Sequence, residues 1–64
     1  MWITVFVAEG HEKTKEIENA LIREGFLIKT NLFSKESNTV YYEILAPDFE
    51  AQEVQDVLID LGYI

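Results

Sequence analysis

Sixty-four residues with 12 acidic and 5 basic side chains, a net charge of −7 and no cysteine set the limits of this chain. A domain this short buries only about 60% of its unfolded surface, and neither disulfides nor thiolate-held metal can reinforce it. The charge opposes phosphate backbones and anionic membranes, so nucleic acid and lipid are excluded as expected partners, while an apolar fraction of 48% is ample for a packed core.

The chain opens on "WITVFVA", Trp2 to Ala8, β-branched and aromatic throughout, which predicts a strand. Plain alternation puts Ile3, Val5 and Val7 on one face and Trp2, Thr4 and Phe6 on the other. The same N-terminus has no basic segment followed by a small-residue cleavage site, so it does not read as a signal peptide. No apolar run is long enough for a bilayer. A cytoplasmic location is the expectation.

From Gly10 or His11 the period changes. Thr14, Ile17, Leu21 and Glu24 recur on one helical face, widened by Ala20 and flanked by Ile22, while Glu12, Lys15, Glu16, Glu18 and Arg23 fill the other. Gly25 is the stop. "FLIKTNLF", Phe26 to Phe33, predicts a second strand, "SKESN", Ser34 to Asn38, a turn, and "TVYYEILA", Thr39 to Ala46, a third strand closing a hairpin. Pro47 should end that strand and Asp48 cap a second helix. Ala51, Val54, Val57, Leu58 and Leu61 form its apolar stripe, and Gly62 is its stop. Tyr63 and Ile64 read as the first residues of a further strand.

The order is β-α-β-β-α, and it carries an internal repeat. A shift of about 37 positions lays Val7 on Ile44, Ile17 on Val54, Ala20 on Val57, Leu21 on Leu58, Ile22 on Ile59, Gly25 on Gly62 and Phe26 on Tyr63. Two strand–helix–strand halves related this way predict an α+β open-faced sandwich of ferredoxin-like plan. The expectation is a three-stranded antiparallel sheet, two helices on one face and a truncated fourth strand. In that plan the first strand lies on the sheet edge, where an unpaired row of amides is a template for another chain. A second copy, strand against strand about a two-fold axis, is the simplest expected partner. The alternative is that Tyr63 and Ile64 cover part of the edge.

Catalytic chemistry finds little support. His11 stands alone at a helix start, and Glu9 and Glu12 beside it lack the spacing that makes two helical residues converge on a metal. The carboxylate pairs, Glu16 with Glu18, Glu50 with Glu53 and Asp56 with Asp60, lie opposite apolar stripes, as solvated charges do. Ser34 and Ser37 have no histidine–acid partners. Lys29 reads as a surface lysine facing Glu43. No cofactor or metal is expected, and the chain is read as no enzyme. The sharper signal is the sheet face away from the helices, where Trp2, Thr4, Phe6, Lys29, Phe33, Tyr41, Glu43 and Leu45 are expected together. Exposed aromatic anchors in an apolar patch mark interaction surfaces. Aromatics on such a sheet also suggest RNA-recognition modules, but "TVYYEILA" lacks their basic, glycine-containing signature.

The strand "ITVFVAE", the helix "KEIENALIREGFLIK" and "YEILAP" leading into an acidic helix together resemble a family of small bacterial proteins described as prokaryotic signal-transducing proteins, a domain of unknown function. The likeness covers nearly the whole chain. It implies a ferredoxin-like or PII-like fold and a regulatory role. It carries over no functional residues, and the cysteines and C-terminal metal ribbon of some relatives are missing here. The leading expectation is a non-enzymatic binding or regulatory module that acts as a homodimer or on a protein partner. A small-metabolite sensor with its ligand at a subunit interface is the alternative, and an enzyme subunit completed by another chain is a third.

Overall fold

The computed structural model describes all residues, Met1–Ile64. Its elements are β1 (Trp2–Glu9), α1 (His11–Arg23), β2 (Lys29–Glu36), β3 (Thr39–Pro47) and α2 (Ala51–Asp60). The strands form one antiparallel sheet in the order β1-β3-β2. β3 is therefore the centre, and β1 and β2 are the two edges. The helices supply Ile17, Leu21, Val54 and Leu58, each fully buried, to a core completed from the sheet by Val5, Ala8, Ile44 and Ala46. The helical periodicity is thus realised as expected, and the two repeat-related pairs, Ile17 with Val54 and Leu21 with Leu58, form the helix layer.

The two helices also end alike. The Phe26 N–H donates to the Leu21 carbonyl at 3.2 Å and the Gly25 N–H to that of Ile22 at 2.9 Å. In α2 the Tyr63 N–H donates to Leu58 and the Gly62 N–H to Ile59, at 2.9 and 3.0 Å. Both are Schellman stops. They need a left-handed residue, which Gly25 (φ 96°) and Gly62 (φ 87°) provide. Phe26 and Tyr63, one residue on, both pack against the core.

The faces of β1 depart from plain alternation. Thr4 lies opposite Leu45 and Phe6 opposite Ile44, so Val5 is an extra residue, a β-bulge. A bulge shifts every later side chain to the other face. Val5 still points into the core, but Phe6 moves to the helix side, Ala8 becomes buried, and Val7 turns to the open face, where it is 41% exposed. The expectation that Val7 faces the helices and Phe6 the open side is therefore corrected.

Three boundaries move as well. β2 begins at Lys29, not Phe26, because the amides before it are taken: Phe26 by the Schellman bond and Leu27 by Glu50 Oε1 at 3.1 Å. It runs on to Glu36 through a second bulge at Phe33, and the turn shrinks to Ser37 and Asn38. Ser37 takes φ 54°, a left-handed residue of the kind two-residue hairpins require. At the other end Pro47 stays in β3 opposite Trp2. Pairing of β3 with β2 stops at Lys29 and Leu45, so the missing Pro47 N–H would have had no strand partner on that side. α2 starts only at Ala51. Its N-cap position is Glu50, with no side-chain cap, and Asp48 instead meets the Met1 amino group at 3.6 Å.

Candidate functional site

Hydrogen-bonding direction along a strand alternates, so two bonds fix it for all of β1. The Met1 carbonyl accepts from the Asp48 N–H and the Gly10 N–H donates to Val40, both at 2.8 Å. Met1 and Gly10 thus face β3. With the bulge between them, Ile3, Phe6 and Ala8 face β3 too, and the amides of Trp2, Thr4, Val7 and Glu9 point outward. Within residues 1–64 no strand pairs with that outward row. Tyr63 and Ile64 do not cover it: they form no strand, and the Tyr63 hydroxyl reaches α1 instead, donating to Glu16 Oε2 at 2.5 Å. The same Glu16 carboxylate is held below its ordinary range first by that hydrogen bond and then by Lys13, and the Tyr63 phenol is correspondingly raised.

The edge has one attendant from α2. Gln55 Nε2 donates to the Val5 carbonyl at 2.7 Å. The bulge turns that carbonyl out of the ladder, and a half-buried acceptor left unpaired is costly, so Gln55 makes the bulge tenable. Residues three and four apart share a helix face, so Gln52 and Ile59 belong to the same side of α2 as Gln55. That side carries one carboxylate, Asp56, which lies four residues from Gln52 and accepts a hydrogen bond from its Nε2 at 3.2 Å.

On the open face, ladder pairing places Thr4 and Lys29 on either side of Leu45, and Asn31 beside Glu43. Trp2, Thr4, Lys29, Tyr41, Glu43 and Leu45 thus come together as expected. Phe6 does not, for the reason given above, and Phe33 sits in the β2 bulge, 58% exposed. Lys29 does not pair with Glu43 as expected. Its ammonium lies over the Trp2 ring, 4.8 Å from the centroid, a contact worth about 0.5–1 kcal/mol at an exposed site. Glu43 instead accepts from the Thr4 hydroxyl at 3.3 Å. Leu45 is only 8% exposed between its neighbours. The face is therefore a mosaic in which polar side chains interrupt the apolar ones, not a continuous patch.

Sequence reasoning missed two residues of this region. Val7 was hidden by a bulge that no glycine announces. Gln55 was legible in principle, since an uncharged position within an acidic helix asks for a reason. At the far end of β1 lies a shallow, open depression of about 450 Å³ lined by Glu9, Gly10, His11, Asn38, Thr39, Val40 and Tyr42. His11 meets the edge of Tyr42 there, ring centres 6.1 Å apart. No three histidine, aspartate or glutamate side chains converge on a common point, and no helix is long and apolar enough to cross a membrane. No protein-family model matches the chain, and neither a curated protein nor a solved structure is significantly similar to it.

Proposed function

We propose that this chain is a non-enzymatic binding and regulatory module of the bacterial signal-transducing type, cytoplasmic, working by self-association through the outer edge of β1. The fold is read as ferredoxin-like: the order β1-β3-β2 with both helices in one core leaves beside β1 the place that a fourth strand occupies in that plan. The observation that carries the reading is the outward amide row of β1, in a strand whose only charged side chain is Glu9. Such an edge is normally blunted by lysine, proline or a covering segment. The open sheet face is the weaker candidate, because Lys29, Glu43 and Thr4 break up its apolar surface.

Sedimentation of the 64-residue chain across low micromolar to millimolar concentration tests the proposal. A reversible monomer–dimer equilibrium is expected, and a monomer throughout rejects it. The depression at Glu9, His11 and Tyr42 favours a second reading, a metabolite sensor, since it lies at the end of the same edge. Thermal-shift screening against nucleotides and amino acids separates the two, because a ligand of the folded state raises its melting temperature.

A further inference from the structure

We infer that the bulge at Val5 fixes how two copies of β1 pair: antiparallel, bulge against bulge, with the two-fold axis between Val5 and Phe6. The inference rests on the self-association reading above and specifies its interface. The outward-facing residues are Trp2 and Thr4 before the bulge and Val7 and Glu9 after it. In an unbulged strand, outward residues recur every second position. A two-fold axis between two adjacent residues would then set outward amides against inward ones. The extra residue removes that conflict. About the Val5–Phe6 midpoint the row maps onto itself, Trp2 onto Glu9 and Thr4 onto Val7. All four outward residues thus meet an outward partner, Trp2 against Glu9 of the second copy and Thr4 against Val7 of the second copy. Axes centred on Ile3 or on Ala8 would use only one half of the row.

Charge supports the same arrangement. Directly opposed residues share a sheet face, so Glu9 of the second copy comes beside Trp2, whose ring already carries the Lys29 ammonium. A cation and an anion are thereby brought to the same aromatic side chain, once on each side of the axis. Above the sheet, Gln55 is fixed at the bulge through Val5, so α2 meets the axis through Gln55, with Asp56 tied to Gln52 beside it. The result is a continuous six-stranded sheet with the two α2 helices flanking the axis.

The chain has no native cysteine, so engineered ones report cleanly. Opposed residues in such a pair have Cα atoms about 5.5 Å apart, within the disulfide range of about 4.4–6.8 Å. Thr4→Cys and Val7→Cys, mixed and mildly oxidised, should give a disulfide-linked dimer, while neither variant alone should do so. Trp2→Cys mixed with Glu9→Cys serves as an independent pair should the first perturb folding. Glu9→Lys should weaken association about threefold or more, with Lys29→Glu restoring it. A chain that still dimerises in sedimentation but gives no mixed cross-link, or that links each single variant to itself, overturns this register and leaves self-association standing. A chain that is monomeric throughout overturns both.

Discussion

The two edges of the sheet are alike in architecture and unlike in chemistry. β1 and β2 each pair only with β3, and each contains one bulge. In β2 the same alternation turns Lys29, Asn31 and Ser34 toward β3 and Thr30, Leu32 and Lys35 outward. A lysine in the outward row and charges at Lys29 and Glu36 are the usual defences of an edge. β1 has no lysine and a single charge, Glu9 at the last position of its span, and its outward row is divided evenly by the bulge. Its Val5 carbonyl also has a dedicated donor in Gln55, whereas no side chain bonds the backbone of β2. A bulge alone therefore does not say whether an edge is protected. The charges in the row, and the helix above it, decide.

Substitutions graded from severe to slight probe that contrast. Ile44, fully buried in β3, lies opposite Phe6 in β1 and Thr30 in β2. Ile44→Ala should cost about 2–5 kcal/mol, enough in so small a domain to abolish both edges together. Urea titration followed by circular dichroism measures it, and a loss confined to one edge would show that the strands are not one cooperative unit. Next comes a matched pair of edge lysines. Val7→Lys should weaken dimerisation about tenfold or more, roughly 1.4 kcal/mol, and Leu32→Lys should leave it unchanged, both read by sedimentation. Equal effects would erase the distinction between the edges.

Gln55→Ala should destabilise the fold by about 1 kcal/mol, the net worth of a hydrogen bond and its stranded acceptor, without changing the ladder of β2. The smallest effect is a pH dependence. Tyr63 bonds Glu16, lowering the carboxyl from its ordinary 4.5 first through that bond. A depressed acid contributes stability that is present above its unfolded pKa and fades as pH falls through the folded value. The raised Tyr63 phenol contributes below its unfolded pKa of 10.0 and fades as pH rises past the folded one. In Tyr63→Phe, NMR titration should find the Glu16 pKa moved back up toward the ordinary value, and an unmoved Glu16 would place the cause with Lys13 instead.

Sequence patterning was informative where one period governs a long stretch. Ile17, Leu21, Val54 and Leu58 were legible as core, and Gly25 and Gly62 as helix stops, because helical spacing and a left-handed stop each leave a direct mark. The edge position of β1 followed from element order. The faces of β1 did not, since Val5 is an ordinary strand residue and its bulge is made by the fit of β1 to β3 and by Gln55, fifty positions away. The late start of β2 was hidden for a similar reason: Glu50 claims the Leu27 amide from across the fold. Six of the eight open-face residues were placed correctly by alternation. Phe6 was lost to one bulge, Phe33 lies in the other, and Lys29 chose the Trp2 ring over Glu43.

Amide hydrogen exchange, followed residue by residue in dilute and concentrated samples, reaches the core of the matter most directly. The N–H groups of Trp2, Thr4, Val7 and Glu9 should exchange quickly when dilute and slow markedly when concentrated, while those of Thr30, Leu32 and Lys35 stay fast in both. Protection of the first four that ignores concentration, or its absence at every concentration, would contradict an edge that is open in one copy and closed by a second.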